Sequence, residues 1–208
     1  MPEKYRTAIQ PIINLQENCS SFYNKINEKY GNNINCKKAC SKCCYVSLSI
    51  FQAEAYRILD WALSLNAEDK KQLLENLLKL EQPERKNTSN KLAKPCSFLI
   101  DELCTIYDAR PTICRTQGLA LQYKVSAKDN NVELAVDHCP LNFTVPDSLP
   151  EKADWLDLDR LNTLQSIAEN FFAKNLGKDN LNFELKVDKN NRVSMVTLKN
   201  ILLKILEK

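Results

Sequence analysis

The stretch Cys36-Lys37-Lys38-Ala39-Cys40-Ser41-Lys42-Cys43-Cys44 places four thiols within nine residues. The intervening residues are lysine, serine and alanine, so these cysteines do not belong to an apolar run in which they would pack as small core residues. Metals bind the thiolate form of cysteine, and two intervening residues let a turn bring both sulfurs of a Cys-x2-Cys step to one ion. The stretch therefore predicts a metal centre.

The chain contains five further cysteines. One of them, Cys19, falls on the apolar stripe of an N-terminal helix and is expected to pack as a small hydrophobic residue. The other cysteines of the chain are the candidate metal ligands, and they are Cys36, Cys40, Cys43, Cys44, Cys96, Cys104, Cys114 and Cys139. This number suffices for two four-thiolate centres, and one centre with spare or redox-active thiols fits nearly as well.

The adjacent cysteines Cys43 and Cys44 put a condition on the backbone. In an extended segment successive side chains point to opposite sides, so the two thiols serve one ion only if the chain turns sharply between them. The simpler arrangements are that they serve two different centres, or that one of them is a packing residue.

Basic residues lie close in sequence to the thiols and could offset the negative charge that four thiolates leave around a dication. They are Lys37, Lys38, Lys42, Arg110 and Arg115. Arg115 is favoured for contact with the sulfurs because it directly follows Cys114. The single histidine, His138, precedes Cys139 and is a weaker candidate as a ligand or proton carrier. A cysteine–histidine hydrolase would leave the other clustered thiols without a role.

Composition argues against several other classes of protein. The net charge of +3, from 29 basic and 26 acidic residues among 208, lacks the basic surplus typical of nucleic-acid binding. Three glycines are too few for glycine-rich phosphate loops or dinucleotide fingerprints. No apolar run is long enough to span a membrane, and the N-terminus lacks the apolar centre of a secretory signal. We therefore expect a soluble, cytoplasmic protein whose thiols stay reduced, which favours metal over disulfides.

Hydrophobic periodicity predicts a mainly α protein with one or two short β-hairpins, arranged as a helical domain around a cysteine-rich metal centre. Helices are expected over the first thirty residues with Pro11 as a boundary or kink, over about 50–65, over 70–80, from Leu158 to near Gly177, and over about 194–207. The expected apolar face of the fourth of these consists of Leu158, Leu161, Leu164, Ala168 and Phe171. We expect residues 1–208 to form a single domain, with 36–115 as the chelating core and the C-terminal helices of 150–208 packed on it.

The remaining segments predict loops and hairpins. The polar residues 82–95 are typical of a surface loop or an internal linker, and Pro111 is expected to open a short helical turn that carries Cys114. Hairpins are predicted over 96–107 and over 119–136. In the first, a two-residue turn at 101–102 pairs Cys104 with Leu99 and puts Cys96 and Cys104 on different faces, whereas a three-residue loop puts them on one face.

The run CKKACSKCC, followed after a helical insert by PCSFLIDELCTIYDARPTICR, resembles the cysteine-cluster family named after YkgJ, which is described as a zinc- or iron-chelating domain. The matching residues are Cys36, Cys40, Cys43, Cys44, Pro95, Cys96, Leu99, Cys104, Tyr107, Arg110, Pro111 and Cys114. The resemblance covers about residues 36–115 and implies chelation of zinc or iron. Cys139 lies beyond the family's core pattern, and one branch of the family is associated with lysine methylation of flagellin.

Three classes of function fit these observations. The leading interpretation is a metal-binding protein that holds Zn²⁺ or iron, including a [4Fe–4S] cluster, through its clustered thiolates. A second is a metal-dependent enzyme, such as a protein-lysine methylase resembling the flagellin branch. A radical S-adenosylmethionine enzyme is another option, because Cys36, Cys40 and Cys43 have the spacing of the cysteines in that motif. The helical, glycine-poor chain argues against it. The third is a zinc-stabilised module for a protein partner, with nucleic acid disfavoured by the weak overall charge.

Overall fold

The computed structural model describes residues 1–79, 83–87, 89–126, 132–176 and 185–207. Within these ranges the chain forms six α-helices, which confirms the prediction of a mainly α protein. They are α1 (Glu3–Tyr30), α2 (Gln52–Ser64), α3 (Ala67–Leu78), α4 (Thr112–Arg115), α5 (Leu158–Leu176) and α6 (Met195–Leu206). None of the helices in the described ranges combines the length and apolar character needed to cross a membrane.

Short strands connect the helices in the same ranges. They are β1 (Ser49–Ile50), β2 (Arg85–Lys86), β3 (Leu92–Ala93), β4 (Leu99–Ile100), β5 (Leu103–Cys104), β6 (Leu121–Ser126), β7 (Val132–Asp137), β8 (Leu156–Asp157) and β9 (Val193–Ser194). β4 with β5 and β6 with β7 form the two predicted hairpins, β1 pairs with β9, and β8 adds to β6 in parallel. The predicted polar loop differs from the structure, because β2 and β3 form an antiparallel pair within it.

Helix α1 continues through Pro11, so of the two predicted alternatives, a boundary or a kink, the boundary is wrong. Proline removes one backbone donor from a helix. The neighbouring residues Ile9 and Ile12 are buried against α2 and α5 in the core, and burial of such side chains is worth about 1.5–3 kcal/mol each. This burial outweighs the loss of one hydrogen bond. The helix ends at Tyr30, directly before Gly31, as predicted.

Helix α2 lies between two parts of the core. Its Ile58 and Leu59 pack with residues of α3 and α6, and its Ala53 and Tyr56 pack with residues of α1 and α5. The Glu169 carboxylate of α5 accepts hydrogen bonds from the backbone of Ala53 at 2.9 Å and of Gln52 at 3.3 Å, so α5 caps the N-terminus of α2. A helix that is apolar on two sides thus joins the N-terminal and C-terminal parts of the chain.

The buried face of α5 is offset from the predicted one. Leu161 and Ala168 are buried as expected, but Leu164 and Phe171 are each 40% exposed. Phe172 enters the core instead and lies 4.8 Å from the ring of Tyr56 between centroids. Phe172 follows Ala168 by four residues, which is the helical spacing that keeps two side chains on one face.

The Asp154 carboxylate joins the end of α1 to the segment before α5. Its Oδ2 accepts hydrogen bonds from Lys29 Nζ at 2.7 Å and from the Tyr30 hydroxyl at 2.8 Å. The hydrogen bond from Lys29 is the main reason that the pKa of Asp154 lies below its ordinary value. A depressed pKa means that the folded protein prefers the ionised carboxylate.

We expect Asp154→Asn to lower the free energy of unfolding at pH 7. Because the folded-state pKa is depressed, this stabilisation is fully present above the unfolded pKa of about 4 and is lost as the pH falls through the folded pKa. The difference in urea midpoint between wild type and variant should therefore shrink below about pH 4. The control is Asp147→Asn, since Asp147 is exposed and Asn tolerates its positive φ of 60°. A difference that stays constant with pH would contradict the assigned role of the carboxylate.

Candidate metal centre

A cavity of about 270 Å³ lies between the cysteine stretch, the β4–β5 hairpin and α4, and also meets α1 and α6. Seven of the eight predicted ligands line it, and they are Cys36, Cys40, Cys43, Cys44, Cys96, Cys104 and Cys114. The eighth, Cys139, shares a hydrogen bond with the thiol of Cys36. All nine cysteines lie in the described ranges and none forms a disulfide, while Cys19 is buried in α1 apart from the others.

The cysteine stretch turns twice on its way along the cavity. Ala39 adopts a positive φ of 74°, and the Cys40 amide donates to the Lys37 carbonyl at 2.9 Å, so the chain reverses between Cys36 and Cys40. A 3-10 turn over Lys42–Cys44 then brings the thiols of Cys43 and Cys44 into hydrogen-bond contact. The sharp turn that a shared centre requires is therefore present, and both thiols face the cavity.

Of the two predicted connections in the β4–β5 hairpin, a two-residue turn and a three-residue loop, the structure has the two-residue turn. Leu99 pairs with Cys104, and the turn residues Asp101 and Glu102 both have positive φ, as a type I′ turn requires. The strands are only two residues long, so the alternation of faces does not extend to Cys96. The Leu99 amide donates to the Cys96 carbonyl at 2.9 Å, and this turn brings Cys96 to the same cavity as Cys104.

Helix α4, which carries Cys114, is held by a buried carboxylate of α2. Glu54 is 2% exposed, and its Oε1 accepts a hydrogen bond of 2.8 Å from the Thr112 amide at the start of α4. Its Oε2 accepts another of 3.2 Å from the Phe51 amide at the start of α2. Pro111 precedes the helix as predicted. One side chain thus fixes the position of the thiol relative to the core.

Both Arg110 and Arg115 line the cavity, and Arg110 is the one whose charge acts on the thiols of Cys43 and Cys104. The Arg115 guanidinium donates to the carbonyls of Asp108 at 2.6 Å and Arg110 at 2.8 Å and to Ser20 Oγ at 2.8 Å, so it holds the backbone before α4. The Arg110 guanidinium stacks 3.8 Å above the Tyr107 ring and lines the cavity. Its charge opposes the rise in pKa that burial causes at the Cys104 thiol.

Three residues that sequence reasoning missed fix Cys36. The buried Asn142 donates from Nδ2 to Cys36 Sγ at 3.4 Å and to the Gly118 carbonyl at 2.8 Å. The Tyr23 hydroxyl donates to the Cys36 carbonyl. Gly118 has a φ of +94°, and a Cβ built on it would lie 2.7 Å from Cys36 Sγ. The scarcity of glycine is the one signal in the sequence that could have drawn attention to Gly118, and no signal marks Asn142 or Tyr23.

Most of these thiols keep their protons at neutral pH. Burial raises the pKa of Cys36 to about 12, that of Cys96 to about 11 and that of Cys114 well above its ordinary value. The hydrogen bond between Cys43 and Cys44 lowers the pKa of Cys43 to about 7 and raises that of Cys44. A metal that binds Cys36, Cys44, Cys96 or Cys114 must therefore displace a proton from the thiol, which makes its affinity depend on pH.

The thiols are gathered but do not form a closed chelate. In the part of the chain that the structure describes, no three cysteine, histidine, aspartate or glutamate side chains stand in an arrangement that could hold a metal ion. In a closed four-thiolate zinc site the sulfurs lie about 3.8 Å from one another, because each Zn–S bond is about 2.3 Å long and the geometry is tetrahedral. The His138 ring packs edge-on against Phe143 with 5.5 Å between centroids and does not line the cavity.

The fold and the cavity define a mainly helical protein with a thiol-lined pocket. The family described as "CxxCxxCC: Putative zinc- or iron-chelating domain" matches residues 35–140, just over half of the chain, and the protein belongs to this family. The match includes all eight candidate ligands and confirms the predicted membership of a cysteine-cluster chelating family. Comparisons with curated proteins and with solved structures gave no match.

We expect Gly118→Ala to displace Cys36 and destabilise the protein. The new Cβ would meet Cys36 Sγ at 2.7 Å and Asn142 Nδ2 at 2.8 Å. The left-handed backbone alone costs alanine about 1–2 kcal/mol, so the free energy of unfolding should fall by about 2 kcal/mol or more in urea titrations.

The matched control is Gly31→Ala. There the new Cβ has Asn27 Oδ1 as its nearest neighbour at 3.5 Å, an ordinary contact, and the backbone is helical with a φ of −56°. This variant should keep the stability of the wild type or gain up to about 1 kcal/mol. Equal stability of the two variants would contradict the close packing described around Cys36.

Proposed function

We propose that this protein binds Zn²⁺ or iron through the thiolates that surround the cavity. The ligands in this proposal are Cys36, Cys40, Cys43, Cys44, Cys96, Cys104, Cys114 and Cys139. The observation that carries it is that seven of these thiols, from separate stretches of the chain, face one cavity without disulfides. Thiolates are soft donors that suit zinc and iron–sulfur clusters, so the donor set fits both metals of the family description.

The residues around the thiols support this role through their charge. Arg110 lies on the cavity wall and has no carboxylate partner among the ion pairs of the described residues. Lys37 and Lys38 line the same cavity. Four thiolates around a dication leave excess negative charge, which these cations offset. In this proposal the bound metal supplies cross-links between the cysteine stretch, the hairpin and α4.

The proposal takes residues 1–208 as one domain, with 36–115 as the chelating core. Met195 at the start of α6 lines the cavity, and α6 packs against α2 and α3 in the core. Helix α6 thus contributes to the wall of the cavity. The proposal also places the protein in the cytoplasm, where thiols stay reduced and available to metal.

A metal-dependent enzyme is the second candidate, because the cavity is not closed. Val46 and Ile113 line it while remaining 44% and 46% exposed. Structural zinc sites are closed, whereas catalytic ones keep a position open to substrate. Protein-lysine methylation and docking of a protein partner remain predictions of the sequence, since no described residue identifies a methyl-donor site or a partner surface.

Metal content tests the proposal directly. Protein purified without oxygen is expected to contain zinc, or iron with matching labile sulfide and a brown colour. Cys43→Ser should lose metal and stability together, because the free energy of binding a structural metal is folding free energy. Cys43 is the most informative position, since its thiol acts electrostatically on Cys44, Cys96, Cys104 and Cys114.

The control for this experiment is Cys19→Ala. Cys19 is buried in α1 and does not line the cavity, so its loss should cost on the order of 1 kcal/mol and leave the metal content unchanged. Folded, metal-free wild type with nine freely titrating thiols would overturn the proposal. Equal metal losses in the two variants would show that the thiols have been assigned wrongly.

We expect Arg110→Gln to weaken zinc binding about tenfold at pH 7. A unit charge near a thiolate centre at an effective dielectric constant of about 20 contributes on the order of 1–2 kcal/mol, and 1.4 kcal/mol is a factor of ten. Competition with a chromophoric chelator measures the change. The control is Lys38→Gln, because Lys38 also lies over the Tyr107 ring, at 5.5 Å, but is exposed and better screened. Equal effects of both substitutions would contradict a specific role for Arg110.

A further inference from the structure

Strand β7 forms the outer edge of the three-stranded sheet, whose order is β7–β6–β8. All six residues of β7 pair with β6. On its other side, no backbone hydrogen bond in the described ranges joins β7 to a further segment. Alternate backbone N–H and C=O groups therefore point away from the sheet, and an edge of this kind is a template for pairing with another strand.

The opposite edge of the same sheet is covered. Strand β8 pairs in parallel with Leu121 and Gln122 of β6, and the Asp159 carboxylate of α5 accepts a hydrogen bond of 2.9 Å from the Lys124 amide. The strands of the other sheets in the described ranges are two residues long. Very short strands are one of the ways in which proteins protect a sheet edge. Within these ranges, β7 is thus the one long strand with an uncovered edge.

The sequence of β7, VELAVD, lacks most of the features that protect an edge strand. It contains no lysine or proline, and its register with β6 runs through six pairs without a bulge. Val132 and Leu134 lie on one face of the strand and are 66% and 56% exposed. The acidic residues Glu133 and Asp137 both lie on the other face, so no charge of β7 interrupts the apolar one.

The charges of β7 select one antiparallel register for pairing with a second copy of the strand. Opposed residues in an antiparallel pair lie on the same face of the sheet, so the two-fold axis of a symmetric pair passes through a residue position. Two such registers pair five of the six residues, and they are centred on Leu134 and on Ala135. The second sets Glu133 opposite Asp137, and like charges that lie directly opposite are destabilising. The first register avoids this contact.

We infer that β7 pairs with β7 of a second copy of this chain, antiparallel and centred on Leu134. In this register Val132 opposes Val136 and Leu134 opposes its own copy, so apolar side chains meet along one whole face. Glu133 opposes the small side chain of Ala135 on the other face. The pairing joins two three-stranded sheets into one sheet of six strands and satisfies both free edges. It does not depend on metal binding.

The dimer is expected to dissociate on dilution. A contact made by one strand from each copy is small beside the roughly 1,200–2,000 Å² that stable interfaces bury, and small interfaces belong to weak complexes. We therefore expect a dissociation constant on the order of 10 μM, with dimer predominant at about 100 μM and monomer at about 1 μM.

Sedimentation velocity of the reduced full chain over this concentration range measures the association directly. Leu134→Glu should raise the dissociation constant at least about tenfold, because two carboxylates then face each other across the two-fold axis and the leucine contact is lost. The monomer tolerates this change, since Leu134 is exposed and pairs with Lys124 of β6 in its own hairpin. The matched control is Val145→Glu, which introduces the same charge at a side chain that is 60% exposed and outside β7 and should keep the dimer.

A mixture of two variants tests the register. Leu134→Lys alone should also be monomeric, but an equal mixture of Leu134→Lys and Leu134→Glu should form a heterodimer, because Leu134 opposes its own copy only in the inferred register. Hydrogen exchange provides a second measurement on the wild type. The amides of 132–137 should exchange more slowly at about 100 μM than at about 1 μM, whereas those of β3 should not change.

Several results would overturn the inference. They are wild type that stays monomeric at the highest concentration, a dimer that Leu134→Glu leaves intact, a dimer without slower exchange at 132–137, and a mixture that stays monomeric while both variants are folded by circular dichroism. If Leu134→Lys does not fold, the wild type, Leu134→Glu and the exchange measurement decide the outcome, since each of them is required by the inference.

Discussion

The arrangement of the site depends on the hydrogen bonds that the buried carboxylate of Glu54 accepts. Its oxygens accept hydrogen bonds from the backbone of Thr112 and Phe51 and from the side chains of Gln16 and Gln165. These partners belong to α4, the start of α2, α1 and α5. A charged group that is buried must be satisfied in this way, because an unpaired buried charge is strongly destabilising. The carboxylate therefore fixes four segments at once, including the one that carries Cys114.

The three arginines near the site, Arg57, Arg110 and Arg115, differ in how their charges are compensated. Burial lowers the pKa of Arg57, and the charges of Glu17 and Glu54 oppose this fall. Arg115 lines the cavity, but its guanidinium is hydrogen-bonded to carbonyl and hydroxyl oxygens. The Arg110 guanidinium stacks on the Tyr107 ring, lines the cavity and acts electrostatically on the thiols of Cys43 and Cys104. Negative charge develops on the sulfurs when the thiols lose their protons. The positive charge of Arg110 is already nearby and lowers the electrostatic cost of forming thiolates.

Short-range patterns predicted the elements of the fold, and longer-range contacts account for what they missed. The apolar periodicity of the long helices, Pro111 before the short helix α4 and the apolar alternation of the hairpins were sufficient to locate these elements. The pair β2–β3 was missed because its strands are two residues long and exposed, so they carry no apolar alternation. Local rules predict a boundary or kink at Pro11 because they count the lost hydrogen bond but not the tertiary burial of Ile9 and Ile12.

The same distinction applies to the site. The cysteines were found from their spacing, because ligation requires that residue type and those short steps. Asn142, Gly118 and Tyr23 were not found, since each acts on Cys36 through contacts between segments that are distant in the chain. Adjacency to Cys114 predicts a place for Arg115 near the sulfurs, and Arg115 does line the cavity. Its guanidinium, however, is hydrogen-bonded to backbone carbonyls and to Ser20, which the sequence does not indicate.

The raised pKa values of the thiols explain why the ligands are gathered without being closed. Protonated thiols carry no charge, so burial brings Cys36, Cys96 and Cys114 together without the repulsion that thiolates would impose. Backbone hydrogen bonds and the Glu54 carboxylate hold the segments that carry them in this neutral state. If metal binds as proposed, one cation would replace several protons. Because the fold already gathers these ligands, the entropic cost of collecting them is met before binding, and the free energy of binding would offset the cost of deprotonation.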